Sequence, residues 1–426
     1  MVGRARSRLV AAARAAARWG LGRTAARPLT AIACAVHDAL TARTPDGAVL
    51  RELHIVAHVD LAGRSGVLEP ARPHAATPPQ AWDTTCADAA SGGTVTLPGR
   101  PLAWSVLEGV ELNDTSLVRV GDALVGASGV MEDVDRGLRI KGPGIVDHRC
   151  DRVLVASARP VRTIPEGIRL CGFGSGNWYH WLVEILPTAL AIGRLPAELQ
   201  DVPLLVPEAV ERSSAWREAL DVVAPGRRTV TVPRTSTVAV DRLVWLDPAV
   251  NGPRTLRDDA PVGLDLLAPS LEILTALRTS VLSGLGIDAR ARPGRRVLLV
   301  RPQGAKRSAN QDDLIAVARR RGFEPVDPGG LPFVEQVRLF AEAEVVAGGW
   351  GAAWSSMLFA GPETHGLMWA PRTFERWPLY SNLAPVSGMR LRHLWVDVDS
   401  RTMVGANKAP QHVPPDEFAA ALDAVR

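Results

Sequence analysis

The chain has 426 residues, of which 46% are hydrophobic and 22% charged, a balance that excludes global disorder. Its four cysteines are widely separated, and no stretch approaches the roughly 20 apolar residues that a membrane span needs, so we expect a soluble cytoplasmic protein without a disulfide scaffold. The net charge of +4 arises from seven arginines that precede the first acidic residue, Asp38. The rest of the chain is slightly acidic, so we do not expect nucleic-acid binding.

The sequence predicts four regions, and the first two of them precede residue 165. Residues 1–40 form a basic tail rich in Ala and Arg, which is either disordered or an amphipathic helix lying on an anionic membrane surface. Residues 41–164 form a strand-rich N-terminal region. Within it, Pro and Gly predict loops over residues 61–100, and short β-branched runs predict strands at 116–120, 137–140 and 152–156.

From about residue 165 the pattern changes to alternating strands and helices, with a Pro-, Gly- and Asp-rich joint at 248–263. Before the joint we predict strands at 168–171, 203–206, 229–232 and 243–246, with helices from about 175 and over 209–222. After it we predict strands at 296–300, 323–326, 344–347, 366–369 and 394–398, with helices at 268–285, 308–321, 332–343 and 352–359. This alternation predicts an α/β fold with two facing Rossmann-like lobes, residues 165–262 and 263–426.

The segment from Cys171 to Leu190 contains the first group of candidate site residues. If it is helical, Asn177, His180 and Glu184 lie on one stripe. A His and a Glu one turn apart can orient each other, and either could act as a general base that removes a proton from a hydroxyl. The alternative is that the pair forms a hydrogen bond within the core.

Three glycines, Gly172, Gly174 and Gly176, precede this helix and could bring backbone amides close to an anion. The spacing is not the dinucleotide fingerprint, because Asn177 occupies the position of its last glycine. A Rossmann-type oxidoreductase is therefore only a minor alternative.

The second group of candidate residues follows two strands of the C-terminal lobe. Arg301, Lys306, Arg307 and Asn310 come after the first strand, at the edge where open α/β sheets bind ligands, and the cations suit a pyrophosphate. A glycine turn and the start of a helix follow a later strand, with Gly349, Trp350, Gly351, Ser355 and Ser356. Free helix-terminal amides there suit a phosphate. The alternatives are a solvated basic loop and a purely structural turn.

Elements of one family pattern occur in order between residues 165 and 398. They are Asn177-Trp178-Tyr179-His180-Trp181-Leu182, Glu184, Pro187, Arg301, Arg307, Asn310, Gly322-Phe323, Glu335-Gln336-Val337, Phe340, Ala343, Gly349, Gly351-Ala352, Phe359 and Pro362. In these residues the chain resembles the family 61 glycosyltransferases, which include bacterial capsular-polysaccharide biosynthesis proteins. It departs from the family at Trp350, where a His is usual, at Ser355-Ser356 in place of Thr-Asn, and at Met368 in place of a Glu.

The resemblance implies a GT-B-like architecture, in which residues 263–426 bind a nucleotide-sugar donor and residues 165–262 present a glycan acceptor. It further implies an inverting, metal-independent transfer to a cell-surface or capsular glycan, with no cofactor besides the donor. His180 or Glu184 would be the base, and the rings of Trp350 or Trp354 would stack on the donor. The alternative is a catalytically inactive nucleotide-sugar or glycan-binding protein on the same fold.

Overall fold

A computed structural model describes residues 49–83, 95–251, 263–264, 268–289, 294–302, 307, 310–400 and 402–425. The basic tail and Lys306 lie outside the described residues. The described chain has an α/β fold with an eleven-stranded mixed sheet, a five-stranded parallel sheet and two short strand pairs. The predicted α/β class is therefore confirmed.

Twenty strands are assigned within the described residues. They are β1 Val49–Ala57, β2 Arg64–Glu69, β3 His74–Ala76, β4 Val95–Leu97, β5 Leu102–Leu112, β6 Val118–Val120, β7 Ala123–Gly126, β8 Ile145–Arg149, β9 Arg152–Ser157, β10 Thr163–Arg169, β11 Leu204–Pro207, β12 Thr229–Val232, β13 Val238–Leu246, β14 Val250–Asn251, β15 Ala268–Pro269, β16 Arg295–Leu299, β17 Glu324–Val326, β18 Ala343–Gly349, β19 His365–Pro371 and β20 Arg390–Val396.

The helices of the described ranges include one π-helix, His180–Ile185, and four 3₁₀ helices, Leu186–Arg194, Pro328–Gly330, Ala352–Phe359 and Arg372–Phe374. The α-helices are His58–Leu61, Val130–Asp135, Ala197–Gln200, Ala209–Arg212, Ser214–Val223, Leu271–Leu285, Gln311–Arg319, Phe333–Ala341, Ala384–Ser387, Met403–Ala406 and Pro415–Ala424. None of these helices combines the length and the apolar character needed to cross a membrane.

The large sheet has the strand order β12-β11-β10-β13-β5-β6-β7-β1-β9-β8, with β2 paired to β5. Its first four strands are parallel to one another, whereas β13 pairs with β5 in the antiparallel sense. Of these four strands only β11 is buried along its whole length, whereas β10 and β13 include exposed positions. Strands from residues 49–157 and from residues 163–246 thus belong to one hydrogen-bonded sheet.

The C-terminal sheet has the order β17-β16-β18-β19-β20, and all its neighbours are parallel. Successive side chains point to opposite faces, so Leu298 and Leu299 of β16 enter two different hydrophobic clusters. Helices Gln311–Arg319 and Pro415–Ala424 cover one face, and Phe333–Ala341 and Ala352–Phe359 cover the other. The carboxyl ends of β16 and β18 lie side by side, which places the residues that follow them at one edge.

Three predictions about the elements are wrong. Residues 137–140 contain no strand, and Gly137, with a φ of 97°, lies in the turn that follows helix Val130–Asp135. Residues 64–69, predicted as loop, form β2, which pairs with β5 through β5's exposed backbone groups. The helix predicted over 209–222 is broken at Ser213, whose backbone is extended. Most other predicted elements agree with the structure within a few residues.

Candidate functional site

His180 and Glu184 form a hydrogen-bonded pair on the π-helix that follows the glycine loop. The His180 Nδ1 and Glu184 Oε2 atoms are 2.8 Å apart, and the side chains are 19% and 1% exposed. The wide helical turn ends where the Leu186 amide donates to the Trp181 carbonyl, next to Pro187, which has no amide to donate. With Nδ1 donating to the carboxylate, Nε2 of the imidazole is left as a proton acceptor.

The glycines of this loop leave room for side chains from neighbouring residues, which is a different role from that of a dinucleotide-binding loop. Gly174 has a φ of 73°, and a Cβ at this position would overlap the imidazole ring of His180. A Cβ on Gly176 would overlap the guanidinium of Arg234. The His180 ring also packs edge-on against Phe173, with the ring centroids 5.2 Å apart. The loop therefore fixes the position of the imidazole.

Two arginines lie at the carboxyl edge of the C-terminal sheet without a carboxylate partner among the described residues. The Arg301 guanidinium donates to the Trp350 carbonyl, and Arg307 donates to Asn407 Oδ1 at 3.0 Å. Burial lowers the pKa of Arg301 to about 10, with a further contribution from the charge of Arg307, and burial also lowers the pKa of Arg307. Both groups remain cationic at neutral pH, so this edge carries two partly desolvated, uncompensated positive charges.

The glycine turn lets side chains approach its backbone closely. A Cβ on Gly349 would lie 2.8 Å from Trp369 Nε1, and one on Gly351 would lie 3.0 Å from a terminal nitrogen of Arg301. Because Arg301 donates to the Trp350 carbonyl, the turn following β18 and the cation following β16 form one surface. The two lie together because β16 and β18 are parallel neighbours in the sheet.

The Trp350 ring is only 4% exposed and packs in a cluster of aromatic side chains. The ring centroids of Phe374, Trp377 and Tyr380 lie 4.8, 5.3 and 4.7 Å from it. Trp354 is fully buried and donates its indole N–H to the Gly349 carbonyl. The expectation that either ring is open for stacking on a donor is therefore wrong, because intramolecular contacts already cover both.

Four other candidate residues are engaged within the protein. Asn177 Oδ1 accepts from the Tyr179 amide, and both amide atoms of Asn310 pair with the Val413 backbone. Ser355 and Ser356 are buried in the 3₁₀ helix, where Ser355 donates to the Ala352 carbonyl. These contacts give Asn177, Asn310 and Ser355 structural roles: a turn, a tie to the C-terminal segment, and helix packing. The buried hydroxyl of Ser356 has no hydrogen-bond partner among the described residues.

The structure connects the two groups of candidate residues through Tyr380, which the sequence reasoning missed. The Tyr380 hydroxyl donates to the Gly351 carbonyl at 2.6 Å. Its ring packs edge-on against Tyr179, the neighbour of His180, with the ring centroids 5.6 Å apart. The only feature of the sequence that distinguishes Tyr380 is the rarity of tyrosine, since the chain has two.

A cleft of about 120 Å³ lies against Glu184 on the side of the large sheet. Its lining includes Thr115, Arg139, Arg169 and Trp245. The Arg169 guanidinium lies 4.1 Å above the centre of the Trp245 ring, a cation–π contact. The Trp245 ring is 3% exposed and is covered by Arg169 and His58, so the polar side chains of the lining are the groups that could bind the hydroxyls of a sugar. The cleft meets the His180–Glu184 pair through Glu184, because His180 is not part of its lining.

A Ser–His–Asp arrangement behind Trp245 is structural. His58 Nδ1 lies 2.6 Å from Ser105 Oγ, its Nε2 lies 3.0 Å from Asp247 Oδ1, and the three side chains have no exposed surface. Burial alone would raise the pKa of Asp247, but hydrogen bonds from His58 and Ser128 outweigh it and lower that pKa. Because no substrate can reach Ser105, we assign the network to holding Trp245, against which His58 stacks.

Part of the chain matches a known protein family. Residues 178–367 match the model of the family described as Glycosyltransferase 61. This part of the chain belongs to glycosyltransferase family 61. The family 61 segment contains His180, Glu184, Arg301 and Trp350, but Asn177 of the first group precedes it by one residue. The family supports a glycosyltransferase. A search among curated proteins found no match.

Some of the site lies outside the family 61 segment. The cleft residues Thr115, Arg139 and Arg169 precede it, and Tyr380 follows it. The family pattern could not identify these residues, because they are contributed by parts of the chain that the pattern does not include.

Proposed function

We propose that this chain transfers a sugar from a nucleotide-activated donor to a cell-surface or capsular glycan, with inversion at the anomeric carbon. The observation that carries the proposal is the pair Arg301 and Arg307, partly buried cations that donate to the Trp350 carbonyl and to Asn407 and have no carboxylate partner among the described residues. Burying uncompensated cations is unfavourable, and a bound diphosphate would supply the missing charge through charge-assisted hydrogen bonds.

In the proposed reaction His180 is the base and Glu184 positions it. The acceptor hydroxyl oxygen attacks C1 of the donor sugar, and the bond from C1 to the diphosphate oxygen breaks with its electron pair remaining on the diphosphate. The hydroxyl proton moves to His180 Nε2, because Nδ1 is bonded to the Glu184 carboxylate. Arg301 and Arg307 stabilise the negative charge that develops on the leaving group. A single displacement of this kind inverts C1.

We also propose the GT-B-like division, with the acceptor lobe over residues 165–262 and the donor lobe over 263–426. The acceptor would enter the cleft beside Glu184, so the N-terminal region over 41–164 would supply a cleft wall through Thr115 and Arg139. The proposal includes transfer without a metal, a cytoplasmic location, and contact of residues 1–40 with an anionic membrane surface.

The test is a thermal-shift and calorimetric titration of the full chain with nucleoside diphosphates, with and without chelator. Stabilisation that persists in chelator is expected, at about 2.7 kcal/mol for ligand at 100 times its dissociation constant. Arg301→Ala should weaken binding by about 1.5–3 kcal/mol. Arg320→Ala, at an exposed helix end, is the matched control.

Three results would contradict parts of the proposal. Equal diphosphate affinity for wild type and Arg301→Ala would place the donor elsewhere. Loss of the shift in chelator would contradict metal independence. Binding of every nucleotide sugar without release of nucleoside diphosphate in the presence of glycan acceptors would favour the inactive binding protein.

A further inference from the structure

A short segment of the N-terminal region crosses from the large sheet to the C-terminal sheet. Strands β2 and β5 pair with each other in the large sheet, and between them residues 77–82, which we call the bridging segment, run along the edge strand β20. Ala81 forms a parallel bridge with His393. The His393 amide donates to the Gln80 carbonyl at 2.7 Å, and its carbonyl accepts from the Trp82 amide at 2.9 Å. The bridging segment therefore pairs with backbone groups that an edge strand would otherwise leave unpaired.

The start of the bridging segment is bonded to the loop between β19 and β20. The Thr77 amide donates to Asn382 Oδ1 at 2.8 Å, and the Ser381 hydroxyl donates to the Thr77 carbonyl at 2.5 Å. Ser381 and Asn382 are 4% and 3% exposed, so water has little access to replace these two bonds. Because buried polar groups are costly to leave unpaired, the docked bridging segment stabilises this conformation of the loop.

The same loop carries Tyr380, which contacts the proposed diphosphate site. Tyr380 directly precedes Ser381, and its hydroxyl donates to the Gly351 carbonyl at 2.6 Å. Its ring packs against the Trp350 ring, with the centroids 4.7 Å apart, and the Trp350 carbonyl accepts from the Arg301 guanidinium. Three consecutive residues, 380–382, thus connect the bridging segment on one side with the glycine turn and its arginine on the other.

We propose that the bridging segment is a positioning element of the donor site, which holds Tyr380 against the glycine turn and so keeps Arg301 in place to bind the diphosphate. The inference rests on the proposed function, because it takes Arg301 to bind the donor. The bridging segment precedes the family 61 segment and residues 380–382 follow it, so the family pattern assigns a role to neither. In this arrangement the N-terminal region contributes to the donor site as well as to the acceptor cleft.

The experiment measures calorimetric affinities of the full chain for UDP, CDP, ADP and GDP, well below the melting temperature. Ser381→Ala removes one of the two bonds and should lower the affinity for the tightest-binding nucleoside diphosphate about 3- to 10-fold. Ser381→Thr keeps the hydroxyl and should restore that affinity to within about twofold of wild type. Thr77→Pro should cause a loss similar to that of Ser381→Ala from the other side of the contact, because proline has no amide to donate to Asn382. The extended backbone favoured before Pro78 suits this substitution.

Thr364→Val is the matched control within the same sheet. Thr364 is 2% exposed, and its hydroxyl donates to the Ala343 carbonyl at the start of β18, whereas the glycine turn follows the end of that strand. The valine variant should be destabilised by the loss of this buried bond, yet keep the diphosphate affinity of wild type.

Hydrogen exchange provides a measurement that does not depend on a nucleotide. The amides of Asn382 and Leu383 donate to carbonyls within the loop, at Pro378 and Tyr380. Their exchange should be faster in Ser381→Ala and Thr77→Pro than in wild type, and unchanged in Thr364→Val.

The outcomes separate this inference from the proposed function. Wild-type affinity in folded Ser381→Ala would overturn the inference and leave the diphosphate site intact, even if the loop exchanges faster, and the two Ser381 variants decide the matter if Thr77→Pro does not fold. An equal loss of affinity in Thr364→Val would show that overall stability rather than position governs binding, and would also overturn it. Absence of diphosphate binding by wild type would overturn the proposed function and this inference together.

Discussion

Tyr179 and Tyr380, the two tyrosines of the chain, pack edge-on with their ring centroids 5.6 Å apart. Tyr179 precedes His180, and the Tyr380 hydroxyl is bonded to the Gly351 carbonyl. This contact connects the proposed base to the glycine turn of the proposed donor site. The two halves of the site are therefore positioned relative to each other through packed aromatic rings, which change little without a change in the surrounding core.

Tyr380→Phe tests this connection, because it keeps the ring and removes the bond to Gly351. Burial raises the pKa of the Tyr380 phenol, so the hydroxyl is a hydrogen-bond donor throughout the neutral range. We expect a loss of about 1 kcal/mol in the free energy of unfolding and weaker diphosphate binding, because Arg301 donates to the carbonyl of Trp350, the residue before Gly351. Tyr179→Phe leaves the Gly351 bond in place and is the control. Equal diphosphate affinities of wild type and Tyr380→Phe would argue against the connection.

The roles of His180 and Glu184 can be separated by comparing turnover with nucleotide affinity. We expect His180→Ala to lower kcat by about 10²–10⁴-fold, the usual contribution of a general base, without changing diphosphate affinity. Glu184→Gln should lower kcat less, and Glu184→Asp should retain more activity than the glutamine variant, because it keeps a carboxylate. Full activity of Glu184→Gln in steady-state assays would show that the carboxylate does not position the imidazole.

Gly174→Ala should disturb the imidazole without altering the donor site. The residue has a φ of 73°, which disfavours a side chain, and its Cβ would overlap the His180 ring. We expect a loss of about 1–3 kcal/mol in unfolding free energy and a large fall in kcat, with diphosphate affinity retained. Gly193→Ala is the matched control, since nothing lies within 4 Å of a Cβ there. An unchanged kcat in Gly174→Ala would show that the loop does not position the catalytic imidazole.

The raised pKa of the buried Asp114 carboxyl predicts that the stability of the protein depends on pH. Its side chain is 1% exposed, and burial raises its pKa from 3.8 to about 6, although Arg234 acts in the opposite direction. The folded state therefore holds this proton more tightly than the unfolded chain, and the stability it contributes is lost as the pH rises through about 6. Asp114→Asn should gain about 1–3 kcal/mol relative to wild type above that pH and little at pH 4.

Chemical unfolding of wild type and Asp114→Asn between pH 4 and pH 8 measures this difference. Asp399→Asn, at an exposed position, should show no such pH-dependent gain. The Asp114 carbonyl accepts from the Gly172 amide and the Ser175 hydroxyl, and the asparagine variant keeps this contact to the glycine loop. A parallel pH dependence in wild type and Asp114→Asn would mean that the carboxylate does not titrate as inferred.

The sequence by itself determined the features that depend on local order along the chain. The alternation of apolar strands and helices was enough to predict the α/β class and the parallel β16, β18 and β19, and the spacing of His180 and Glu184 predicted their pairing. The same pattern placed Arg301 and the glycine turn each after the carboxyl end of a strand. These inferences succeed because strand direction and helical periodicity are set by residues close together in sequence.

Only the tertiary structure decided which of these side chains remain available to a ligand. The amide of Asn310 is taken up by Val413, 103 residues away, and the ring of Trp350 is covered by Phe374, Trp377 and Tyr380. The same long-range packing buries Gln411, whose backbone amide donates to the Arg307 carbonyl. Exposure and hydrogen-bond pairing depend on which distant segments pack against a residue, and local sequence spacing does not encode those contacts.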